Sequence, residues 1–139
     1  MEARLVDKIS DISELAKRLA GASERVGAIC IFLGVVRGES SGKKVLRLEY
    51  EAHEELAPKI LLKILEEAKN KHGIIDGLVE HKIGSAEVGE PVMCVMIASR
   101  RREEGFRALM EVVDRVKHEA PIWKKEVTEE GSYWVEPEP

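Results

Sequence analysis

The sequence predicts an α+β fold, and three observations carry that prediction. Strand-type apolar runs and amphipathic helical stretches are mixed along the chain without the strict alternation of a βαβ protein. The last part of the chain, "WKKEV" and "SYWVE" around "TEEG", has the pattern of a closing hairpin. The chain is 139 residues long, 44% apolar and 35% charged, enough to bury a real core without disulfides or metal. One domain spanning residues 1–139 is expected, with "EPEP" leaving about 137–139 as a frayed tail.

The elements follow in order. "ARLVDKI" reads as a first strand, and "SDISELAKRLAG" as a short helix that Ser10 or Asp11 can cap and Gly21 can end. "GAICIFLGVV" is apolar on both faces and so predicts a central strand. "VLRLEYEA" alternates apolar and polar residues, which suits a half-exposed strand. Leu56, Ile60, Leu61, Ile64, Leu65 and Ala68 hold one face of a long helix, with Pro58 tolerable in its first turn and Gly73 closing it. "GLVEHKIG" and "PVMCVMIAS" are two strands joined by a loop holding Gly84, Gly89 and Pro91. The final helix begins near Glu103, turns Phe106, Leu109, Met110, Val113 and Val116 inward, and stops at Pro121, because the residue before a proline avoids helical geometry. Core packing is the expected role of Trp123.

Several classes of function are disfavoured. A net charge of −4 argues against a general nucleic-acid binder, since the phosphate backbone demands a basic surface. No apolar run approaches the roughly 20 residues needed to span a bilayer, and "MEARLVDKIS" lacks a secretory pattern, so a cytoplasmic location is expected. Cys30 and Cys94 sit in apolar runs without ligand spacing and read as buried small hydrophobes. "HEELA" at His53 fails the HExxH pattern because Ala57 stands at the second ligand position, and His72, His81 and His118 share no ligand spacing. No metal site is expected, and neither a GxSxG elbow nor a phosphate-binding GxxxxGK[ST] motif is present.

The cationic groups that remain lie at element ends. Arg37 follows the strand "FLGVV" and opens the loop "RGESSGKK", a setting typical of ligand sites. Arg100, Arg101 and Arg102 precede a helix start, where free backbone N–H groups already favour an anion, although surface pairing with Glu103 and Glu104 accounts for them as well. Lys117 follows Val113 by four residues and so borders the buried stripe, where a lysine usually only snorkels. Lys124 and Lys125 lie just beyond the proline turn. Taken together these residues point to an anion-binding pocket.

The segments "GAICIFLGVVRG", "LEYEAHEELA", "EHKIGSAEVGE", "VMIASRRREEGF" and "VKHEAPIWKKEVTEEGSYWVE" together resemble the large catalytic subunit of molybdopterin synthase, over nearly everything from Gly27 to Glu136. The resemblance implies an α/β hammerhead-type domain with an added antiparallel β subdomain. It implies a sulfurtransferase that builds the dithiolene of molybdopterin on cyclic pyranopterin monophosphate, using no cofactor. The two sulfurs come from the C-terminal Gly-Gly thiocarboxylate of a small ubiquitin-like partner subunit, whose tail enters the pocket. The assembly implied is a homodimer of large subunits within a heterotetramer.

Carried over by position, Lys117 and Lys124 match the family's catalytic lysines, and Arg37, Arg101 and Arg102 match substrate-binding positions, with Lys125 as a neighbour in that group. The family usually has His-Arg where this chain has Arg101-Arg102. Arginine holds phosphate but cannot exchange protons near neutral pH, so charge binding is the role expected of Arg101. Two other readings stay open: a different phosphate-ester or nucleotide-modifying enzyme using the same arginines, and a non-catalytic module that docks a partner's acidic C-terminal tail.

Overall fold

The structure is a computed structural model and describes residues 1–137. Of the tail expected to fray, residues 138 and 139 lie outside the described residues. Nine strands and three helices are described in the order β1 (Glu2–Val6), α1 (Ile12–Ala20), β2 (Ala28–Val35), β3 (Glu39–Ser40), β4 (Lys43–Ala52), α2 (Leu56–His72), β5 (Asp76–Lys82), β6 (Gly84–Glu87), β7 (Pro91–Ser99), α3 (Arg102–Glu119), β8 (Ile122–Thr128) and β9 (Gly131–Val135).

Two sheets result, and the α+β expectation agrees with them. The first has the order β1-β5-β7-β2, with β1 and β5 parallel and the other pairs antiparallel. The second is antiparallel, in the order β3-β4-β8-β9. Residues Arg47–Tyr50 of β4 pair with both β6 and β8, so those strands flank β4 on opposite edges. This second sheet is the added antiparallel part that the resemblance implies.

The first sheet is covered on both faces. On one face Leu61, Ile64 and Leu65 of α2 and Val112 and Val116 of α3 pack with Val79, Val95 and Ile97. Burial of each large aliphatic side chain contributes about 1.5–3 kcal/mol before entropy is counted. On the other face Leu15 and Leu19 of α1 meet Leu78, Cys94 and Met96. Strand β5 shows the division within a single element. Leu78 and Glu80 face α1, whereas Val79 and His81, one residue out of step, face the α2 and α3 side.

Local rules set the helix ends. Asp11 caps α1 by accepting the Glu14 N–H at 3.1 Å, while Ser10, the other candidate, donates backbone N–H and hydroxyl to Glu80. His53 Nδ1 accepts the Leu56 N–H at 3.0 Å, so the residue that superficially suggested a zinc motif caps α2. Gly73 ends that helix in the left-handed region, at φ 69°. After α3, Ala120 is extended and Pro121 presents its carbonyl to the His53 N–H at 3.0 Å.

Four expectations are corrected. Among the described residues β2 pairs with β7 alone and is an edge strand, and Ile31, Leu33 and Val35 stay exposed because the α1 cluster that covers their face extends only to Ile29. Phe106 and Met110 lie on the outer side of α3, 59% and 70% exposed, because β2 and β7 take only the stripe through Ala108, Val112 and Val116. Trp123 is 52% exposed and stands at a cavity rather than in the core. The loop expected between "GLVEHKIG" and "PVMCVMIAS" contains a strand, β6, and Pro91 begins β7.

Candidate functional site

A cavity of about 830 Å³ lies on the seam between the two sheets. Its walls come from strands at the points where they pass from one sheet toward the other: the end of β2 with Arg37 beyond it, the end of β5 with His81, and the start of β7 with Val92 and Met93. Tyr50 of β4 and Lys124 and Glu126 of β8 close it from the second sheet, and the last turn of α3 adds Lys117. Val135, Glu136 and Pro137 run along its rim.

Three of the predicted site residues meet here. Lys117 sits near the C-terminal end of α3, where a cation also complements the helix dipole, with its ammonium 5.9 Å from the centre of the Phe32 ring. Lys124 and Glu126 share one face of β8 by the two-residue strand period, and Arg37 faces them from beyond β2. Glu126 is buried and accepts the Tyr133 hydroxyl at 2.7 Å, which fixes its carboxylate and pushes the Tyr133 phenol upward.

The other three lie elsewhere. Lys125 is out of step with Lys124 and leaves the cavity, its ammonium 5.3 Å from the centre of the Trp134 ring. Arg101 is the N-cap residue of α3, has a side chain 85% exposed, and pairs with Glu104 at 3.2 Å, so the surface pairing weighed from the sequence does occur, with Glu104. Arg101 lines a shallow surface depression with Arg25 and Arg100. Arg102 opens α3, and Lys117 follows fifteen residues later, about 22 Å away along the helix axis at 1.5 Å per residue. Within one chain the arginine cluster and the lysine pocket therefore lie at opposite ends of α3.

His81, Tyr50 and Glu126 belong to the cavity and were not singled out from the sequence. Burial pushes the Tyr50 phenol up to about 12, and its ring meets the His81 ring edge-on at 5.0 Å. Burial, helped by the charge of Lys124 and opposed by a hydrogen bond to the Lys82 carbonyl, holds His81 down at about 4. The two cysteines are buried and unpaired, and burial raises both thiols, so neither has the character of a nucleophile. Among the described residues no three His, Cys, Asp or Glu side chains gather as a metal site. None of the described helices is long and apolar enough to cross a membrane.

These features define a two-sheet α+β protein with a cleft in which Arg37, Lys117 and Lys124 stand among the carboxylates of Glu39, Glu51, Glu126 and Glu136, and those three cations can hold an anionic ligand or the carboxylate end of a peptide. Residues 5–119 match the family described as MoaE protein. The molybdopterin synthase catalytic subunit of Pyrococcus abyssi is 45% identical over 115 residues, covering 83% of this chain and 78% of that protein. The crystal structure of molybdopterin synthase from Staphylococcus aureus superposes with a TM-score of 0.86 at 30% identity, covering 96% of this chain and 95% of that one. A complex of subunits 1 and 2 of the molybdopterin-converting factor from Helicobacter pylori shares the fold, with a TM-score of 0.76 at 22% identity over 96% of this chain and 89% of that one. The chain belongs to the MoaE family.

Proposed function

We propose that the chain is the catalytic subunit of a molybdopterin synthase. It moves two sulfurs, one at a time, from the C-terminal thiocarboxylate of a small ubiquitin-like subunit to cyclic pyranopterin monophosphate, forming the dithiolene of molybdopterin. The supporting observation is that Lys117, Lys124 and Arg37, from three different elements, line one cavity large enough for a phosphorylated pterin and the end of a peptide. Both reactants are anions, the class of ligand that cations brought together from separate parts of the chain can hold.

In this reading the thiocarboxylate sulfur attacks a side-chain carbon of the ligand, the carbon–oxygen bond at that carbon breaks with its electron pair leaving on the oxygen, and the partner's tail is left joined to the ligand as a thioester. Water then adds to the thioester carbonyl, the carbon–sulfur bond breaks, the sulfur stays on the ligand, and the tail departs as a carboxylate. A second thiocarboxylated partner repeats the cycle. Lys117 neutralises the thiocarboxylate and the oxyanion that develops on its carbonyl, a task for charge already in place. Arg37 and Lys124 hold the phosphorylated ligand in position.

Arg101 and Arg102 join the phosphate site through a second copy of the chain. The length of α3 between them and Lys117 favours a route through the homodimer over one within a single chain. Exposed Ile31, Leu33 and Val35 on β2 and Phe106 and Met110 on α3 provide apolar surface for such a contact. One small subunit at each end completes the heterotetramer.

The direct test mixes the purified chain with thiocarboxylated partner and cyclic pyranopterin monophosphate, without added metal or nucleotide, and looks for the dithiolene product by mass spectrometry. Product formation is the expected result. Tight partner binding without product would leave a tail-docking module as the correct reading.

A further inference from the structure

His81 has no part in the reaction as described so far, yet its surroundings are built with care. It is 7% exposed, stands at the end of β5, and lines the cavity. Its ring packs edge-on against Tyr50 of β4, and its Nδ1 lies 2.8 Å from the Lys82 carbonyl oxygen. A carbonyl can only accept, so Nδ1 carries the hydrogen and the neutral ring presents Nε2 as a bare acceptor. No protein partner is found for Nε2 among the described residues, and yet no sealed side-chain nitrogen or oxygen there lacks one. Nε2 therefore meets solvent, and the cavity is where His81 reaches it.

The groups around that nitrogen sharpen its role. Lys124 of β8 faces it with a positive charge, Tyr50 of β4 supplies a phenol that burial keeps protonated, and Arg37 and Lys117 are further cations. Glu126 is already engaged by Tyr133. The lining also carries the carboxylates of Glu39, Glu51 and Glu136, but among the groups packed around the Tyr50 ring His81 is the neutral acceptor, held in one tautomer and one orientation. The proposed reaction needs such a group once in each cycle, when water attacks the thioester.

We propose that His81 Nε2 is the general base that takes a proton from the hydrolytic water in each sulfur transfer. This rests on the sulfur-transfer reading of the same cavity. As the water oxygen bonds to the thioester carbonyl carbon, one water proton passes to Nε2. The carbon–sulfur bond then breaks, with its electron pair leaving on the sulfur attached to the ligand. The second water proton leaves with the new carboxyl group, which ionises, and His81 gives its proton to the departing thiolate or to solvent. The negative charge of bound ligand offsets the repulsion from Lys124, making the imidazolium easier to form during that step.

A single-turnover experiment with thiocarboxylated partner and cyclic pyranopterin monophosphate, sampled by mass spectrometry for the covalent tail–ligand adduct, tests the proposal. His81→Phe keeps a ring against Tyr50 but has no acceptor. It should form the adduct within about threefold of the wild-type rate and hydrolyse it ~10²-fold more slowly, so that adduct accumulates. His81→Gln places an amide oxygen near the Nε2 position and should recover about tenfold of that loss by orienting the water. Circular dichroism establishes that each variant is folded, and if the phenylalanine variant is not, the glutamine variant decides by the same adduct reading. Wild-type rates of product release in the folded variants, or loss of adduct and product together, would overturn the role. If the wild-type chain itself makes neither adduct nor product, the sulfur-transfer reading fails and the role of His81 fails with it.

Discussion

Lys117 and Lys124 reach one cavity by different local rules, the first as a C-terminal helix residue and the second by strand alternation. Lys117→Ala should lower dithiolene formation by about 10²- to 10³-fold, the usual cost of losing one preorganised oxyanion partner. Its folded state and its complex with the small subunit should persist, which gel filtration with the partner would check. His81 makes a second residue-level prediction. Its folded pKa, about 4, lies below the ordinary histidine value of 6.5, so between those values the unfolded chain binds the extra proton more readily. The contribution of neutral His81 is fully present above pH 6.5 and falls away as pH drops toward 4, by roughly 3 kcal/mol in all. His81→Phe, facing the same Tyr50, Lys124 and Lys82 carbonyl, should flatten that part of the pH dependence, read from urea midpoints between pH 4 and 7. The lysines were legible because they gather on both sides of one proline turn, and the helix dipole accounts only for Lys117. His81 was not, because a histidine in a buried strand is spelled the same way whether it faces core or cavity.

Elements were legible where one local rule dominates and misread where the neighbour decides. The apolar stripe of α2 from Leu61 to Ala68, its αL glycine at Gly73 and the proline stop of α3 depend only on nearby residues and stand as expected, whereas Leu56, expected on the same face, is exposed in the first turn. Strand β2 reads as central because its two faces are apolar, but sequence cannot say whether a second strand lies beyond its outer edge. The same holds for Phe106 and Met110, which continue the apolar pattern of α3 past the width of the surface it covers. Gly105 shows how tightly α3 is seated on that surface. A Cβ there would lie 2.6 Å from Ser99 Oγ and 2.8 Å from Cys30 Sγ, in β7 and β2. Gly105→Ala should therefore destabilise the fold by about 1–3 kcal/mol despite the better helix propensity of alanine, measured by urea denaturation.

At the scale of the whole molecule, the arginine cluster and the lysine pocket stand at opposite ends of an 18-residue helix about 27 Å long. A site shared between two copies makes a specific prediction for mixtures. Lys117→Ala and Arg102→Ala should each be inactive alone, yet refolding them together should restore about a quarter of wild-type sites, since half of the dimers are mixed and each holds one intact site. Recovery is read as dithiolene product, and a mixture as inactive as its parts would confine the site to one chain. None of this architecture is written in local sequence, because it depends on which strands leave one sheet for the other. That crossing has a mechanical consequence. A molecule held by Arg37 beyond β2 and Lys124 on β8 acts as a further rivet between two layers that chain crossings, the Tyr50–His81 ring contact and a small apolar cluster also join. Filling the cavity and stiffening the protein are then one event, and heat resistance should rise with ligand concentration as occupancy dictates.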